Sequence, residues 1–202
     1  MFVLKFNQTQ KLFITLHDDE LQQAVCSMQM IETAAAQEPR KAKERNGYFM
    51  EIERKYLIRT LPGSLESYPS HCIEQGYLCT SPVVRIRRQD EEYWLTYKSK
   101  GLMVREEYNL PLTREAYEHL KPKADGILIS KTRYLIPLDS GLTAELDVFH
   151  DDYEGLLLAE VEFPTEEAAN VFCPPSWFGE DVTFSSAYHN STLSQGSRPA
   201  EV

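Results

Sequence analysis

Acidic and basic side chains recur in pairs two residues apart along this sequence of 202 residues. The first pair lies in the run Glu51-Ile52-Glu53-Arg54-Lys55, and later pairs repeat the same spacing. Successive side chains of a β-strand point to opposite faces, so a spacing of two aims both members of a pair at one ligand. Carboxylate pairs suit Mg²⁺ or Mn²⁺, and Lys or Arg pairs suit phosphate oxygens. The pattern predicts a site for a polyphosphate bound together with a divalent metal.

One strand with alternating charges is usually a solvated face, so the prediction depends on the whole series. Isolated buried ions cost several kcal/mol each. If these strands close around one space, that space must be wet and must bind a highly charged ligand. The acidic members of the series are Glu51, Glu53, Glu107, Glu145, Asp147, Glu160 and Glu162. The basic members are Lys55, Arg85, Arg87, Lys98, Lys100, Arg105, Lys131 and Arg133.

The elements that must position these side chains are mostly strands. Alternation and turn residues predict eight strands and few helices, which favours a largely antiparallel sheet that could close. Arg54, Arg59 and Arg88 fall out of phase and are expected at the surface. Helices are predicted over 17–37, over 113–120 with Thr113 as N-cap, and over 165–172 with Thr165 as N-cap. The predicted strands cover 51–57, 73–78, 83–88, 93–100, 103–110, 127–138, 142–149 and 156–163.

Net charge and the absence of certain motifs argue against several classes of protein, and the two ends of the sequence differ in character from its middle. A net charge of −10 argues against nucleic-acid binding through the overall field. There is no GxxxxGK[ST] or GxGxxG motif, no run of 18 apolar residues and no convincing signal peptide, so a cytoplasmic location is expected. We expect an N-terminal extension over 1–49, which is either an appended segment or an upstream start before Met50. The functional domain is expected over 50–193 and a flexible tail over 194–202.

The ExExK motif and the ordered pairs resemble the CYTH, or triphosphate tunnel metalloenzyme, superfamily. The segments 177–183 and 188–190 resemble its closing segment, so the resemblance covers about 50–193. It implies a mainly β (α+β) fold, an eight-stranded antiparallel closed β-barrel with peripheral helices. It also implies an inorganic triphosphatase, most like the single-domain bacterial ones, that uses Mg²⁺ or Mn²⁺ to cleave tripolyphosphate into pyrophosphate and phosphate. The expected partner is this small polyphosphate, with no nucleic acid and no membrane.

The resemblance also implies roles for individual residues. Glu160 or Glu162, or the pair Glu51 and Glu53, would hold the attacking water together with a metal. Lys131 would stabilise the leaving oxygens, with Tyr77 orienting it. The implied metal ligands are Glu51, Glu53, Glu145, Asp147, Glu160 and Glu162. The implied substrate-binding residues are Lys55, Arg85, Arg87, Lys98, Arg105, Lys131 and Arg133. Asn109 and His189 depart from the family pattern, which puts the metal or substrate preference in question.

Three functions are compatible with the sequence at this point. The first is inorganic triphosphatase, with thiamine triphosphatase as a hydrolytic variant. The second is a class IV adenylyl cyclase on the same tunnel, which would need an adenine pocket that the sequence does not reveal. The third is a polyphosphate or nucleotide binder without catalysis, which the carboxylate pairs disfavour, because they would repel an anion unless metal were present.

Overall fold

In the computed structural model of the protein, the described residues are 5–6, 10–11, 49–99 and 103–199. Of these, 5–6, 10–11, 49–50 and 104–105 are described by their backbone alone. The helix predicted over 17–37 and the side chain of Lys100 lie outside the described residues. Among the described residues, no helix is long and apolar enough to span a membrane.

Antiparallel strands dominate the fold. The eight main strands are β3 (Phe49–Ile58), β4 (Ser70–Thr80), β5 (Val83–Gln89), β6 (Glu92–Lys98), β7 (Val104–Pro111), β8 (Asp125–Pro137), β9 (Thr143–Phe149) and β10 (Leu157–Glu162). Among the described residues, three short strands accompany them: the paired β1 (Lys5–Phe6) and β2 (Gln10–Lys11), and β11 (Phe178–Asp181). The helices are α1 (Arg114–Leu120), α2 (Glu166–Val171) and α3 (Asn190–Leu193). The prediction of a mainly β, antiparallel fold with few helices is confirmed.

The sheet closes on itself at β3. Its spatial order is β10-β9-β8-β4-β5-β6-β7-β3, and β3 also pairs with β10. The two pairings use opposite edges of β3, since the amide of Glu53 donates to Met103 whereas the carbonyl of Ile52 accepts from Phe163. Strand β11 continues the β7 edge, where the amide of Val182 donates to the carbonyl of Lys55. The closed ring of eight strands therefore has an inside and an outside.

Helix α2 covers the outer face of the β3, β9 and β10 region. Ile52 and Tyr56 of β3 point outward into a buried cluster with Phe172 and Phe178. Thr165 caps α2 by accepting a hydrogen bond from the amide of Ala168 at 3.1 Å. Thr113 caps α1 in the same way, accepting from the amide of Ala116 at 3.2 Å. Both predicted N-caps are confirmed, and they fix where each helix begins.

Arg54 corrects one expectation drawn from the sequence, because it is not a free surface charge. Its guanidinium donates to the carbonyls of Ala169 at 2.9 Å and Phe172 at 3.4 Å, and it pairs with Asp181. Arg54 thus joins β3, the end of α2 and β11. The alternation of side chains along the strand correctly places Arg54 outside the ring, but it does not indicate these partners.

The inside of the ring has two halves of different chemistry. Leu57 continues the inward face of Glu51, Glu53 and Lys55, and it packs against an apolar cluster. The buried members of this cluster are Tyr77, Ile129, Phe149, Tyr153, Leu158, Val182, Tyr188 and Leu193. This cluster fills one part of the interior, and the charged side chains occupy the other part.

Candidate active site

A cavity inside the ring is lined almost wholly by polar side chains. Its cations are Lys55, Arg85, Arg87, Lys98, Lys131 and Arg133, and its carboxylates are Glu51, Glu53, Glu107, Glu145, Glu160 and Glu162. The remaining lining residues are Gln75, Tyr77, Val83, Asn190 and Ser191. Formal charges of the two signs are balanced, so the cavity is not a simple anion trap. It suits a ligand that brings both negative and positive charge.

A buried ion-pair network connects β8, β9 and β10. Arg133 contacts both oxygens of Asp147 at 2.7 Å and reaches Glu160 at 2.5 Å. Arg133 also pairs with Glu145, and Lys131 pairs with Asp147. Asp147 is fully buried beneath the cavity rather than on its wall. The predicted metal ligand Asp147 is therefore held by two cations, and it fixes their positions.

Burial and neighbours set the charge states in this network. Burial, together with the nearby charge of Arg133, outweighs the effect of Asp147 and lowers the pKa of Lys131 to about 8. Burial raises the pKa of Glu160, but Lys55 and Arg133 outweigh that effect and hold it well below its usual value. Glu160 contacts Lys55 at 2.7 Å. Glu160 is thus ionised at neutral pH, whereas Lys131 is protonated but close to its titration range.

A second group joins β3, β6 and β7. The ammonium of Lys98 contacts both oxygens of Glu51 at 2.7 Å and Glu107 at 2.6 Å. Asn109 donates to Glu107 at 2.6 Å and accepts from Thr96 at 2.7 Å. Asn109 therefore supports Glu107 by a neutral hydrogen bond. Arg105 lies opposite Glu51 in the β3–β7 register, but its side chain lies outside the described residues.

The arginines of β5 form a wall with few internal partners. Arg85 donates to Gln75 and to Thr96, each at 3.4 Å, while the Nε atoms of Arg85 and Arg87 are buried without a hydrogen-bond partner. Burial, together with the positive charges of Arg85 and Arg133, lowers the pKa of Arg87 to about 10. Two neighbouring guanidinium groups in this state are arranged for an anion.

Glu53 on β3 and Glu162 on β10 form a wall of the opposite charge. Glu53 and Glu162 are direct cross-strand partners, a destabilising arrangement for like charges. Burial raises the pKa of Glu162, and the charges of Glu145, Glu107 and Glu53 raise it further. In a ring of eight strands β10 lies four places from β5, so this wall faces the arginine wall across the cavity.

Most of the predicted site residues line this one cavity. The predicted metal ligands differ in which side chains they contact. Among the described residues, no three carboxylate, histidine or cysteine side chains already converge as a metal site. Glu51, Glu145 and Glu160 are instead drawn to Lys98, Arg133 and Lys55. The carboxylates that line the cavity could hold a hard divalent cation, because such a cation prefers oxygen ligands, and Glu53 and Glu162 lie side by side among them.

Tyr77 and Lys131 line the same cavity, and Tyr77 accepts a hydrogen bond from Gln75 at 3.4 Å. Sequence reasoning missed Gln75, Asn190 and Ser191 as lining residues. Gln75 had a visible signal, since it shares the inward face of Tyr77 on a predicted strand. Asn190 lies in the segment 188–190 that resembles the family's closing segment, but that resemblance did not assign it to the cavity. Ser191 had no such signal, and both residues belong to the short helix α3, which follows the last main strand.

A closed antiparallel ring with paired cations and carboxylates inside defines a binding protein or enzyme for a small, highly charged anion. The model of the CYTH domain matches residues 49–195. The chain belongs to the CYTH family. It is 44% identical over 147 residues to an inorganic triphosphatase of Nitrosomonas europaea, covering 71% of this chain and 95% of that protein.

Two further similarities agree with this assignment. An inorganic triphosphatase of Acetivibrio thermocellus is 36% identical over 152 residues, covering 71% of this chain and 92% of that protein. A crystal structure of an inorganic triphosphatase superposes with a TM-score of 0.57 at 40% identity, covering 72% of this chain and 94% of that one. The family and the tunnel fold expected from the sequence are confirmed.

Proposed function

We propose that the protein is a metal-dependent inorganic triphosphatase that hydrolyses tripolyphosphate to pyrophosphate and phosphate. The observation that carries the proposal is the pair of facing walls, Arg85 and Arg87 on β5 against Glu53 and Glu162 on β3 and β10. The two walls carry like charges of opposite sign on opposite sides of one cavity. A polyphosphate carrying a divalent cation presents a counter-charge to each wall at once.

The metal would be held by Glu53 and Glu162, with Glu51, Glu145 or Glu160 joining when their cation partners turn to the phosphates. Mg²⁺ and Mn²⁺ both suit this oxygen donor set. When bound, such an ion neutralises phosphate charge and lowers the pKa of a bound water. Asp147 is the least suited of the predicted ligands, since two cations already hold it.

The cations position the substrate and stabilise the charge that develops as a phosphoanhydride bond breaks. Phosphoryl transfer depends mainly on such positioning and electrostatic stabilisation. Arg85 and Arg87 bind phosphate oxygens from one side, and Lys55 and Arg133 do so from another. Lys131, protonated at neutral pH, stabilises the leaving oxygens. A carboxylate at position 160 or 162 orients the attacking water and accepts its proton.

The lining of the cavity favours an inorganic substrate over a nucleotide. Pockets for drug-sized organic ligands are lined mostly by apolar and aromatic groups. Here Val83 and Tyr77 are the apolar and aromatic lining residues, and Tyr77 belongs to the packed interior cluster. An adenine or thiamine ring would therefore have to remain outside the described cavity. This disfavours the adenylyl cyclase and thiamine triphosphatase alternatives.

Product analysis tests the proposal. The protein is incubated with tripolyphosphate, ATP or thiamine triphosphate, each with Mg²⁺ or Mn²⁺, and phosphate, pyrophosphate and cyclic AMP are measured. We expect equal amounts of phosphate and pyrophosphate from tripolyphosphate, dependence on the metal, and slower turnover of both organic triphosphates. Cyclic AMP as the main product, or no turnover of any substrate, would contradict the proposal.

A further inference from the structure

Two arginines that line the cavity are held by partners of different charge. Arg133 contacts three carboxylates, which cancel its charge within the protein. Arg85 is buried, at 6% exposure, yet it forms no ion pair within the described part of the chain. Its guanidinium donates instead to the carboxamide of Gln75 and to the hydroxyl of Thr96, each at 3.4 Å. Arg85 is therefore kept in place by neutral acceptors, which leave its charge uncancelled.

The strands on either side of β5 supply these two acceptors. Thr96 on β6 lies directly opposite Arg85, and Gln75 on β4 lies opposite Arg87. Both acceptors are buried, since Gln75 is 1% and Thr96 is 0% exposed. None of the carboxylates that line the cavity belongs to β4 or β6. A strand whose lining residues are neutral or basic therefore separates Arg85 from the cavity carboxylates on each side.

The donor-only chemistry of Arg85 fixes the orientation of the Gln75 amide. The two orientations of an amide have the same shape, so the hydrogen-bond partners must decide between them. A guanidinium can only donate, and the Gln75 atom that faces Arg85 is therefore Oε1. Nε2 then faces the hydroxyl of Tyr77, to which it donates at 3.4 Å. The carboxamide of Gln75 thus links Arg85 to Tyr77, and turning it over would oppose two donors.

The orientation of Thr96 is fixed from the other end, by Glu107. Burial raises the pKa of Glu107, but Lys98 and Arg85 outweigh this effect and lower it to about 2, so Glu107 is ionised and can only accept. Asn109 therefore donates to Glu107 through Nδ2, at 2.6 Å, and turns its Oδ1 toward Thr96. The hydroxyl of Thr96 donates to this Oδ1 at 2.7 Å. Its oxygen is then left to accept from Arg85.

We propose that Gln75 and Thr96 are positioning residues, which hold the guanidinium of Arg85 by neutral hydrogen bonds and so keep its full charge available for a phosphate group. This inference rests on the proposed function and adds two residues to it. A carboxylate in either place would hold Arg85 more tightly, but it would compete with the substrate for the same charge. A cation fixed by neutral groups binds an anion without first giving up an ion pair.

The first test compares two substitutions at position 75. Gln75→Glu keeps the size and the acceptor but adds a charge beside Arg85, whereas Gln75→Met keeps the size and neutrality but removes the acceptor. The Kd of tripolyphosphate is measured by calorimetry in EDTA, where metal-dependent turnover is absent. Gln75→Glu should raise Kd by about 10²-fold, and Gln75→Met by about tenfold. Gln195→Glu, an exposed change of the same kind, should leave Kd unchanged.

Melting temperatures of the ligand-free variants separate this role from a purely structural one. Gln75→Met should melt at a lower temperature than Gln75→Glu, because only the second variant gives Arg85 an ion pair. A residue that served the fold alone would make the less stable variant the weaker binder, the reverse of the expected order. A Gln75→Glu protein that binds like the wild type, or no more weakly than Gln75→Met, overturns the proposal.

A double-mutant cycle shows whether position 75 acts through Arg85. In the Arg85→Gln background, Gln75→Glu should raise Kd by a factor at least about tenfold smaller than in the protein that retains Arg85. A general repulsion between the new carboxylate and the anion would act equally in both backgrounds. Equal factors therefore overturn the proposal.

Thr96 is tested by two substitutions that differ in the hydroxyl. Thr96→Val removes the hydroxyl at nearly constant shape and should raise Kd by about tenfold, whereas Thr96→Ser keeps it and should stay within about twofold of the wild type. Thr132→Val removes a hydroxyl from the outer face of β8 and is the control. Equal Kd values for the Val and Ser variants overturn the role of Thr96. A wild type that neither binds nor hydrolyses tripolyphosphate would instead refute the proposed function.

Discussion

The two walls of the tunnel differ in the sign of the charge they carry. On β5, Arg87 is buried close to other cations, and its pKa is lowered to about 10. On β3 and β10, Glu53 and Glu162 face each other, and the pKa of Glu162 is raised. The β8–β9 network between them is internally satisfied by Asp147. The difference separates residues whose ion pairs hold the site in shape from residues whose like charges a ligand would neutralise.

The largest effect is expected at the arginine wall. Arg87→Gln should lower kcat/KM for tripolyphosphate by about 10²- to 10³-fold, as for removal of one key charge-stabilising donor. It should also raise the melting temperature of the ligand-free protein by a few °C, because a poorly paired buried cation is removed. Arg88→Gln, one residue along and outside the ring, should retain activity. An active Arg87→Gln protein would show that this wall does not bind substrate.

The glutamate wall should give the mirror-image result. Glu162→Gln should lower metal-dependent turnover by about 10²-fold. It should also stabilise the metal-free protein at pH 7. Because the pKa of Glu162 is higher in the folded than in the unfolded protein, ionising Glu162 destabilises the fold. This cost is fully present above the pKa of the folded protein and absent below the pKa of the unfolded protein. Melting curves at pH 7 and below pH 4, with the exposed Glu154→Gln as control, measure this difference. Destabilisation at pH 7 would contradict the assignment.

A smaller effect is expected from Lys131, and it concerns the pH dependence of kcat/KM. Its pKa of about 8 in the free protein implies that kcat/KM falls above pH 8, by about tenfold per pH unit. Lys131→Arg, which stays charged, should remove this decline even if its maximum activity is lower. The same profile in both proteins would assign the decline to another group. Lys121→Arg, a change outside the tunnel, serves as the control.

Arg54 should affect stability more than activity. Arg54→Ala removes its contacts to Ala169, Phe172 and Asp181, and should lower the free energy of unfolding by about 2 kcal/mol. Activity per folded molecule at 25 °C should stay within about twofold, since Arg54 points away from the cavity. Urea unfolding against the exposed Arg59→Ala measures the difference. A large loss of kcat in folded protein would mean that Arg54 positions Lys55 or Glu53.

The sequence predicts the inner faces of the strands well, because a spacing of two determines the face by itself. Glu51, Glu53 and Lys55 needed only to be in a strand to share one side. The partners of each charge could not be predicted, since Lys98–Glu51 and Arg133–Glu160 depend on which strands meet across the ring. Strand β11 was missed because four residues carry little periodic signal. Asn190 and Ser191 escaped notice because their position is set by the packing of Tyr188 and Leu193.

The central claim is that the two walls bind one ligand together, the metal through the carboxylates and the polyphosphate through the arginines. The direct measurement is the melting temperature with Mn²⁺ alone, with imidotriphosphate alone, and with both. Imidotriphosphate replaces tripolyphosphate because its imido bridges resist hydrolysis. The account predicts a shift with both ligands larger than the sum of the separate shifts, because each neutralises the charge that opposes the other. A combined shift no larger than that sum would contradict it.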